Sequence, residues 1–367
     1  MFSSLLWYFE FFCFFAATSS VPAPTIFTEF VALNYSWDST HQYSDYQKLK
    51  KYEPSNCLLA GIKLDKDNNI YVTVPRWRPS IPGTLNKLVY STEFGEYRLS
   101  PYPSWDMQEE GVDGDLQNCQ SMAIDGSGFM WAIETGRRNF FAPLQSMWVD
   151  GTPGIWIIDM ASSTVVQKYY FPAEVASPSS SFVNDIVIDE SRDVAYLTDA
   201  WGEGGLIVYD RGQGSSRRYS GPSTKNDPSY TMIINGVDYG TSIFTTPSDG
   251  IAMTEGGEAL LYGAVQGTTL YRMATELLRD FSSTQEQLDD AAETIGWKEP
   301  SDGMQYVQGK LYFGSLPSST YYVLPINATS FPDTSTEAIP ATPEPSNMRW
   351  VSVAMCPLYV LMCNVPP

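Results

Sequence analysis

Residues 184–199, NDIVIDESRDVAYLTD, predict an apolar strand, a tight turn and a second strand with an aromatic residue. The same pattern occurs four more times: AGIKLDKDNNIYVTV at 60–74, QSMAIDGSGFMWAIE at 120–134, DGIAMTEGGEALLYG at 249–263 and DGMQYVQGKLYFG at 302–314. Gly, Asn and Asp, which hairpin turns favour, are frequent in the turns. A repeat of roughly fifty to sixty-five residues is typical of propeller blades with loop insertions. The sequence therefore predicts an all-β fold, a β-propeller whose ligand site lies where the blades meet.

The first twenty residues predict a secretory signal peptide. Residues 1–20 are nearly all apolar and end in small residues, which places the predicted cleavage between Ala17 and Val21. The segment has no Lys or Arg, and Glu10 interrupts its apolar run. The alternative, an N-terminal membrane anchor, needs a longer apolar span. We therefore expect residues 21–367 to form a single propeller domain.

Two acceptor sequons agree with passage through the secretory pathway. They predict glycosylation at Asn34 and Asn327. The formal net charge of −20 and pI near 4.3 argue against a nucleic-acid-binding role, which needs a basic surface. We expect a secreted monomer that has a small-molecule partner and no membrane association after the signal peptide is removed.

Cysteine is sparse, and Cys13 would leave with the signal peptide. Cys57 and Cys119 each come just before a repeat, in blades expected to be neighbours. One interpretation is a disulfide between them, which an oxidising compartment permits. The other is a pair of buried free thiols.

The histidine content restricts the possible chemistry. His41 is the only histidine, in a polar stretch before the first repeat. A Ser-His-Asp triad, a His-ligated zinc and a two-His iron site all need histidines that converge. Any chemistry is therefore expected to use carboxylates, Arg, Tyr, Trp, amides and backbone groups, without a bound cofactor or metal.

The starts of the aligned repeats predict a ring of residues at one mouth of the central channel. The first position of the ring holds Ala60, Gln120, Asn184, Asp249 and Asp302, and the next holds Gly61, Ser121, Asp185, Gly250 and Gly303. Small residues would keep the mouth open, and polar residues would point acceptors inward. The alternative is that the acids and amides cap turns by bonding to backbone amides.

A second candidate set follows the second strand of each hairpin, and so lies on the same face as the ring. Its members are Arg76, Trp77, Glu134, Arg137, Asp199 and Trp201. An arginine of this set could hold an anionic or carbonyl oxygen, and a tryptophan could stack on a flat ligand. Glu134, Asp199 or the ring residue Asp185 could receive a proton. The alternative for each arginine is an ion pair between blades.

At these segments the chain resembles the yellow / major royal jelly protein family. The matching stretches run in order from about Phe27 to Trp350 and include 61–63, 72–79, 82–86, 101–105, 130–136, 184–189, 196–200, 205–210, 249–252, 270–271, 277–280 and 301–304. The resemblance implies a secreted six-bladed propeller, with the segment near Phe27 to Trp37 lending an outer strand that closes the ring. After Trp350 the sequence departs from the family pattern, so the last blade is expected to be incomplete; one hypothesis is an altered splice or reading frame.

What the family does is less uniform than its fold. Its members are linked to pigment chemistry on dopachrome-like quinoid substrates, to binding of small aromatic amines in the channel, and to nutritional roles. Related propellers are associated with cofactor-free cyclisation, including hetero-Diels–Alder steps.

The resemblance therefore implies a protein that binds a conjugated metabolite in its channel and steers its isomerisation or cyclisation. Asp185, Glu134 and Arg137 are then the candidate catalytic residues. One alternative is a non-catalytic carrier of aromatic ligands. A third interpretation is a metal-dependent lactonase whose calcium-like ion is held by oxygens of Asn184, Asp185, Asp249 and Asp302.

Overall fold

The computed structural model describes residues 9–13, 25–140, 148–149, 151–234, 236–241, 245–318, 320–326, 337–340, 354–356 and 359–363. Each predicted repeat forms the first hairpin of a four-stranded antiparallel sheet, and the five sheets are the blades of a propeller. Central strands such as Val194–Asp199 and Gly205–Asp210 are buried along nearly their whole length, so their sheet is packed on both faces.

The blades are built in chain order. The strands of blades one to three are Ile62–Leu64, Ile70–Thr73, Leu85–Ser91 and Glu96–Pro101; Cys119–Ile124, Phe129–Glu134, Gly154–Asp159 and Thr164–Tyr170; and Val183–Asp189, Val194–Asp199, Gly205–Asp210 and Ser215–Tyr219. The strands of blades four and five are Ser248–Met253, Ala259–Ala264, Thr269–Ala274 and Glu293–Trp297; and Met304–Val307, Lys310–Ser315, Thr320–Pro325 and Glu337–Pro340. The first strands of successive blades lie beside one another, which makes them the innermost strands.

The prediction of six blades is wrong, because the described residues form five. The last strands of the chain, Ala354–Cys356 and Tyr359–Cys363, form no further repeat. They join Phe9–Cys13 and Thr25–Glu29 in a separate sheet made from both chain ends. Ala354–Cys356 lies against the first strands of blades one and five. The tail departs from the repeat pattern, so its strands pair with each other and with the N-terminal segment instead.

The remaining elements are short. The helices are Thr40–Lys48, Thr275–Arg279 and Gln285–Ala291, with 3-10 turns at Pro54–Asn56, Pro222–Thr224 and Glu255–Gly257. Two small ribbons pair Arg137–Arg138 with Trp148–Val149 and Ile233–Ile234 with Val237–Asp238. Within the described ranges, none of the helices has both the length and the apolar character needed to span a bilayer.

The hydrophobic core lies between neighbouring blades. Trp131 of blade two packs edge-on against Tyr209 of blade three, and both side chains are fully buried. Burial of each such side chain stabilises the fold by about 2–3 kcal/mol. This packing sets the blade positions and so fixes the starts of the first strands around the propeller axis.

The hairpin turns have the predicted chemistry. Asp65 Oδ1 accepts hydrogen bonds from the amides of Asp67 and Asn69, at 2.9 and 2.8 Å. Asp125 Oδ1 does the same for Ser127 and Phe129 in blade two, at 3.0 and 2.9 Å. These carboxylates satisfy turn amides and are structural.

Candidate functional site

The predicted ring positions coincide with a break in strand pairing. In blades two, three and four the register shifts between Cys119 and Met122, between Val183 and Ile186, and between Ser248 and Ile251. The residues inside these shifts are the predicted ring pairs: Gln120 and Ser121, Asn184 and Asp185, Asp249 and Gly250. A bulge changes the direction of the side chains that it carries. The bulges therefore turn these residues away from regular sheet geometry.

Two threonines connect the ring positions of neighbouring blades. Thr198 Oγ1 accepts from the amide of Asp185 at 3.2 Å and donates to the carbonyl of Asp249 at 2.6 Å. Thr73 Oγ1 has the equivalent role between blades one and two, with the Gly61 amide at 2.6 Å and the Gln120 carbonyl at 2.8 Å. Each hydroxyl therefore ties the ring pair of its own blade to that of the next blade.

Side chains of the ring also bond to one another across blade boundaries. Trp77 Nε1 donates to Gln120 Oε1 at 2.9 Å, and Gln120 Nε2 donates to Asn184 Oδ1 at 2.9 Å. Ser121 Oγ donates to Asp185 Oδ1 at 3.0 Å. The structure thus brings Trp77, of the second candidate set, into the ring through Gln120.

Three carboxyl groups complete the ring: Asp185 and Asp302, both half-buried, and the buried Asp249. Burial raises the pKa of Asp249 well above its usual value, and the neighbouring Asp302 and Asp185 raise it further. The Asp249 carboxyl lies within hydrogen-bonding reach of Asp302, whereas its Oδ1 is buried and has no donor among the described residues. A carboxyl in this state holds a proton that a ligand oxygen could receive.

Asp185 differs from Asp249 in its surroundings. Burial raises the pKa of Asp185, but the positive charge of Lys63 and hydrogen bonds from the Ile186 amide and Ser121 act to lower it. These three groups favour the carboxylate form. Sequence reasoning overlooked Lys63. It occupies a first-strand position where the other repeats have Ala123, Val187, Ala252 and Gln305, and that contrast was a usable signal.

Arg76 is held away from any ligand. Its fully buried guanidinium donates to five backbone carbonyls, those of Ile81, Pro82, Gln108, Leu116 and Gln117, at 2.5–3.0 Å. A guanidinium has five N–H donors, and here all of them are used. Arg76 therefore organises the loops after blade one. It is not placed to hold a ligand oxygen.

Glu134 and Asp199 are also structural acceptors. Glu134 is buried and accepts from the amides of Gln117, Asn118 and Gly136 at 2.7–3.2 Å. Burial raises its pKa, and these amide bonds oppose the rise. Asp199 accepts from the Phe182 amide at 2.7 Å and forms a 2.6 Å ion pair with Arg218. The alternative interpretation, in which acids bond to backbone amides or pair with arginine, describes both residues.

Arg137 and Trp201 lie in a separate aromatic group. Arg137 donates to the carbonyls of Ser179 and Ser181, and its guanidinium lies 5.4 Å from the Phe140 ring centre and 5.9 Å from that of Trp201. Burial lowers its pKa, and Asp199 opposes this. Trp201 is 42% exposed and meets Phe140 edge-on at 4.8 Å. The structure does not join this group to the ring by a described hydrogen bond.

The predicted disulfide is absent. Cys57 and Cys119 are both free, buried thiols. They belong to different core clusters, and each Sγ instead donates to a nearby carbonyl, that of Glu53 or that of Ser121, at 3.6 Å. Burial raises the pKa of both thiols. They are inert packing residues.

Of the two predicted glycosylation sites, the structure describes Asn34 and not Asn327. Asn34 is half-buried; its Nδ2 donates to Glu96 at 3.3 Å and its Oδ1 accepts from Tyr52 at 3.1 Å. Glycan attachment at this nitrogen would compete with the bond to Glu96. Asn327 lies outside the described residues.

The ring offers oxygens, but its acids are not grouped as a metal site. Among the described residues, no group of three or more His, Cys, Asp or Glu side chains is arranged to hold a metal ion. Asn184 uses its amide oxygen to accept from Gln120.

Comparison with known proteins identifies the family. Protein yellow from Drosophila erecta is 26% identical over 283 residues, which cover 70% of this chain and 49% of that protein, and Protein yellow from Drosophila melanogaster matches to the same extent. The chain thus spans about half the length of these curated relatives. A solved structure of a nidogen/laminin complex shares the fold alone, with a TM-score of 0.51 at 10% identity over 90% of this chain and 92% of that one. The family model described as Major royal jelly protein matches residues 118–322, more than half of the 367. The chain therefore belongs to the major royal jelly protein family.

Proposed function

We propose that this protein binds a small conjugated metabolite at the ring and promotes its isomerisation or cyclisation without a cofactor. The observation that carries the proposal is the buried carboxyl of Asp249, whose Oδ1 has no partner among the described residues. Leaving such a polar group unsatisfied costs about 1–3 kcal/mol in a folded protein. A ligand with a carbonyl or hydroxyl oxygen would supply the missing partner.

The ring has the two groups that a proton shift in a quinoid ligand needs. Asp249, kept protonated by burial and by its acidic neighbours, can donate a proton to the ligand's carbonyl oxygen. Asp185, whose carboxylate is favoured by Lys63 and Ser121, can accept a proton from a ligand carbon. The C–H electrons form a new C=C bond as the carbonyl becomes a hydroxyl. Atoms and electrons balance, and no oxidant is required.

Position and orientation supply the rest of the rate effect. Trp77 packs partly buried against the core of blade one, and its bond to Gln120 fixes the indole beside the ring. Holding a flat ligand in one orientation against an acid and a base removes entropy that the free reaction must lose. The same confinement favours a cyclisation that proceeds through a single conformer.

A carrier of aromatic amines is the second candidate. Three acids gather at the ring; the charge of Lys63 acts on Asp185 and that of the buried Lys298 acts on Asp249, which leaves the acids in excess. An ammonium group on a flat ligand suits this balance of charge. The lactonase interpretation has no such support, because the described acids form no metal-binding group.

We also propose that the protein is secreted, with residues 1–20 as its signal peptide. The apolar run that ends in small residues supports this, and cleavage there would remove the strand Phe9–Cys13 from its sheet with Thr25–Glu29 and Tyr359–Cys363. Mass spectrometry of protein recovered from the medium of expressing cells tests it, since a mature N-terminus between Ala17 and Val21 is expected.

The test of function compares turnover with binding. Purified protein is incubated with an aminochrome, and separately with a quinone-methide precursor and a trapping alkene, while rate and product stereochemistry are followed. Faster conversion or a single stereoisomer, lost in Asp249→Asn and retained in the exposed-turn control Asp227→Asn, is expected. Calorimetric binding with unchanged rate and stereochemistry would identify a carrier. Neither binding nor turnover would overturn the proposal.

A further inference from the structure

Lys298 occupies an unusual place for a lysine. Its side chain is fully buried, in the segment that runs from blade four to Asp302. Its ammonium donates to the Ala264 carbonyl at 2.7 Å, and to the carbonyls of Gly267 and Glu299 and the hydroxyl of Ser301, each at 3.3 Å. Lysine is almost never fully buried unless it is paired. In the described part of the chain, all of these hydrogen-bond partners are neutral oxygens.

Blade four is shaped to admit this side chain. At Gly263 an added Cβ would lie 2.5 Å from Lys298 Cε and 2.9 Å from the Thr269 carbonyl. By strand pairing, Gly263 takes the place that Thr198 has in blade three. The fourth blade therefore has a glycine where another blade has its bridging threonine, and the lysine stem passes through that space.

Lys298 is electrostatically linked to the ring. Its positive charge acts to lower the pKa of Asp249, against the effects of burial, Asp302 and Asp185. In return, Asp249 and Glu299 oppose the burial that lowers the pKa of Lys298 to about 7. An ammonium has three donors and meets three carbonyls here, so the contacts themselves favour the charged form.

We propose that Lys298 is a positioning residue of the ring, which ties the end of blade four to the segment carrying Asp302 and sets its ammonium charge behind the carboxyl of Asp249. This inference rests on the proposed function. A buried carboxyl with no cation nearby retains its proton. With an ammonium behind it, Asp249 can release that proton to a ligand and take it back, as a catalytic acid must.

The test follows the carboxyl groups directly, without a ligand. Protein labelled with 13C at aspartate carboxyls is titrated by NMR, and the Asp249 signal is assigned by its loss in Asp249→Asn. In Lys298→Met the midpoint of Asp249 should rise by about one pH unit or more. In Lys310→Met, which removes a half-exposed lysine in blade five, it should not move. An unchanged midpoint in Lys298→Met, or an equal shift in both variants, would overturn the inference.

A reciprocal measurement covers the case in which Lys298→Met does not fold. Lysine 13Cε signals are titrated in the wild-type protein and in Asp249→Asn, and the Lys298 midpoint should fall in the variant. No change would overturn the inference. Because neither titration needs a ligand, coupled midpoints in a protein that binds no aminochrome or aromatic amine would refute the proposed function alone.

Discussion

Gly250 of blade four lies against the backbone carbonyl of Asp302 in blade five. A Cβ at Gly250 would come far closer than 3.0 Å to that oxygen and 3.1 Å from Met304 Cε. The glycine thus lets blade five approach blade four where Asp249 and Asp302 influence each other. The proximity of Asp249 and Asp302 therefore depends on the absence of a side chain at Gly250.

Gly250→Ala is expected to destabilise the protein. The new methyl group meets backbone, which cannot rotate away as a side chain can, so the blades must separate locally. The free energy of unfolding should fall by about 1–3 kcal/mol, as in other overpacked sites. Urea denaturation measures it. Gly212→Ala, where the nearest neighbour is a side-chain oxygen at 3.5 Å, is the matched control and should change stability little.

Arg76→Met is expected to be more damaging. The substitution leaves five backbone carbonyls near the buried site without their donor. A loss of about 3 kcal/mol or more in unfolding free energy follows, since each buried carbonyl left without a donor costs about 1–3 kcal/mol. Arg78→Met, two residues away and half-buried, should cost far less. Normal stability in Arg76→Met together with lost ligand affinity would show that Arg76 is a ligand-binding residue after all.

The repeats made the propeller predictable, and the tail limited the prediction. A strand, turn and strand with Asp65 or Asp125 at the turn is local chemistry, so five blades follow from the sequence. The number six came from the family resemblance. It was wrong because residues after Trp350 do not repeat the pattern, and the strands there pair with Phe9–Cys13. Pairing between distant chain ends leaves no local signal.

Stability should respond to pH through Asp249. Its pKa is raised in the folded protein, so between about pH 4 and its folded value the native state binds a proton that the unfolded chain has released. Stability contributed by this group therefore falls as pH rises through that window. Asp249→Asn removes the effect. The stability of this variant relative to wild type should therefore increase from pH 4 to pH 7.

Asp227 gives the opposite sign and serves as the control. Hydrogen bonds from Ser229 lower its pKa in the folded state. Its contribution is present above the unfolded value and is lost as pH falls. The stability of Asp227→Asn relative to wild type should therefore be lowest at neutral pH. If both variants followed the same trend in urea titrations, the assigned state of Asp249 would be incorrect.

Cys57 and Cys119 should both be recovered as free thiols. Each is a free thiol buried in its own cluster, and the two are not bonded to each other. Alkylation in denaturant without reductant, followed by peptide mass spectrometry, should label both residues completely. A cross-linked peptide containing both would restore the disulfide that their spacing suggested.

The site was predictable in position but not in the role of each residue. Alignment of the repeats placed Gln120, Asn184 and Asp249 on one ring, and the bulges show why the alignment worked. It did not separate Asp249 from Glu134, because both are acids at strand ends. The distinction lies in whether backbone amides surround the carboxylate, which depends on a loop from elsewhere in the chain. For the same reason, the sequence alone did not identify Lys298 as a residue that acts on the ring.

The central claim is that Asp249 binds a ligand, whereas Glu134 stabilises the fold. Ligand affinity and unfolding free energy are therefore measured together on Asp249→Asn and Glu134→Gln, with tyramine as the probe ligand in calorimetry. We expect Asp249→Asn to lose affinity by about tenfold or more while stability changes by less than about 1 kcal/mol. Glu134→Gln should lose about 2 kcal/mol of stability, because its three amide donors would face an uncharged acceptor, and should keep its affinity. Unchanged affinity in Asp249→Asn, accompanied by strong destabilisation, would contradict the account.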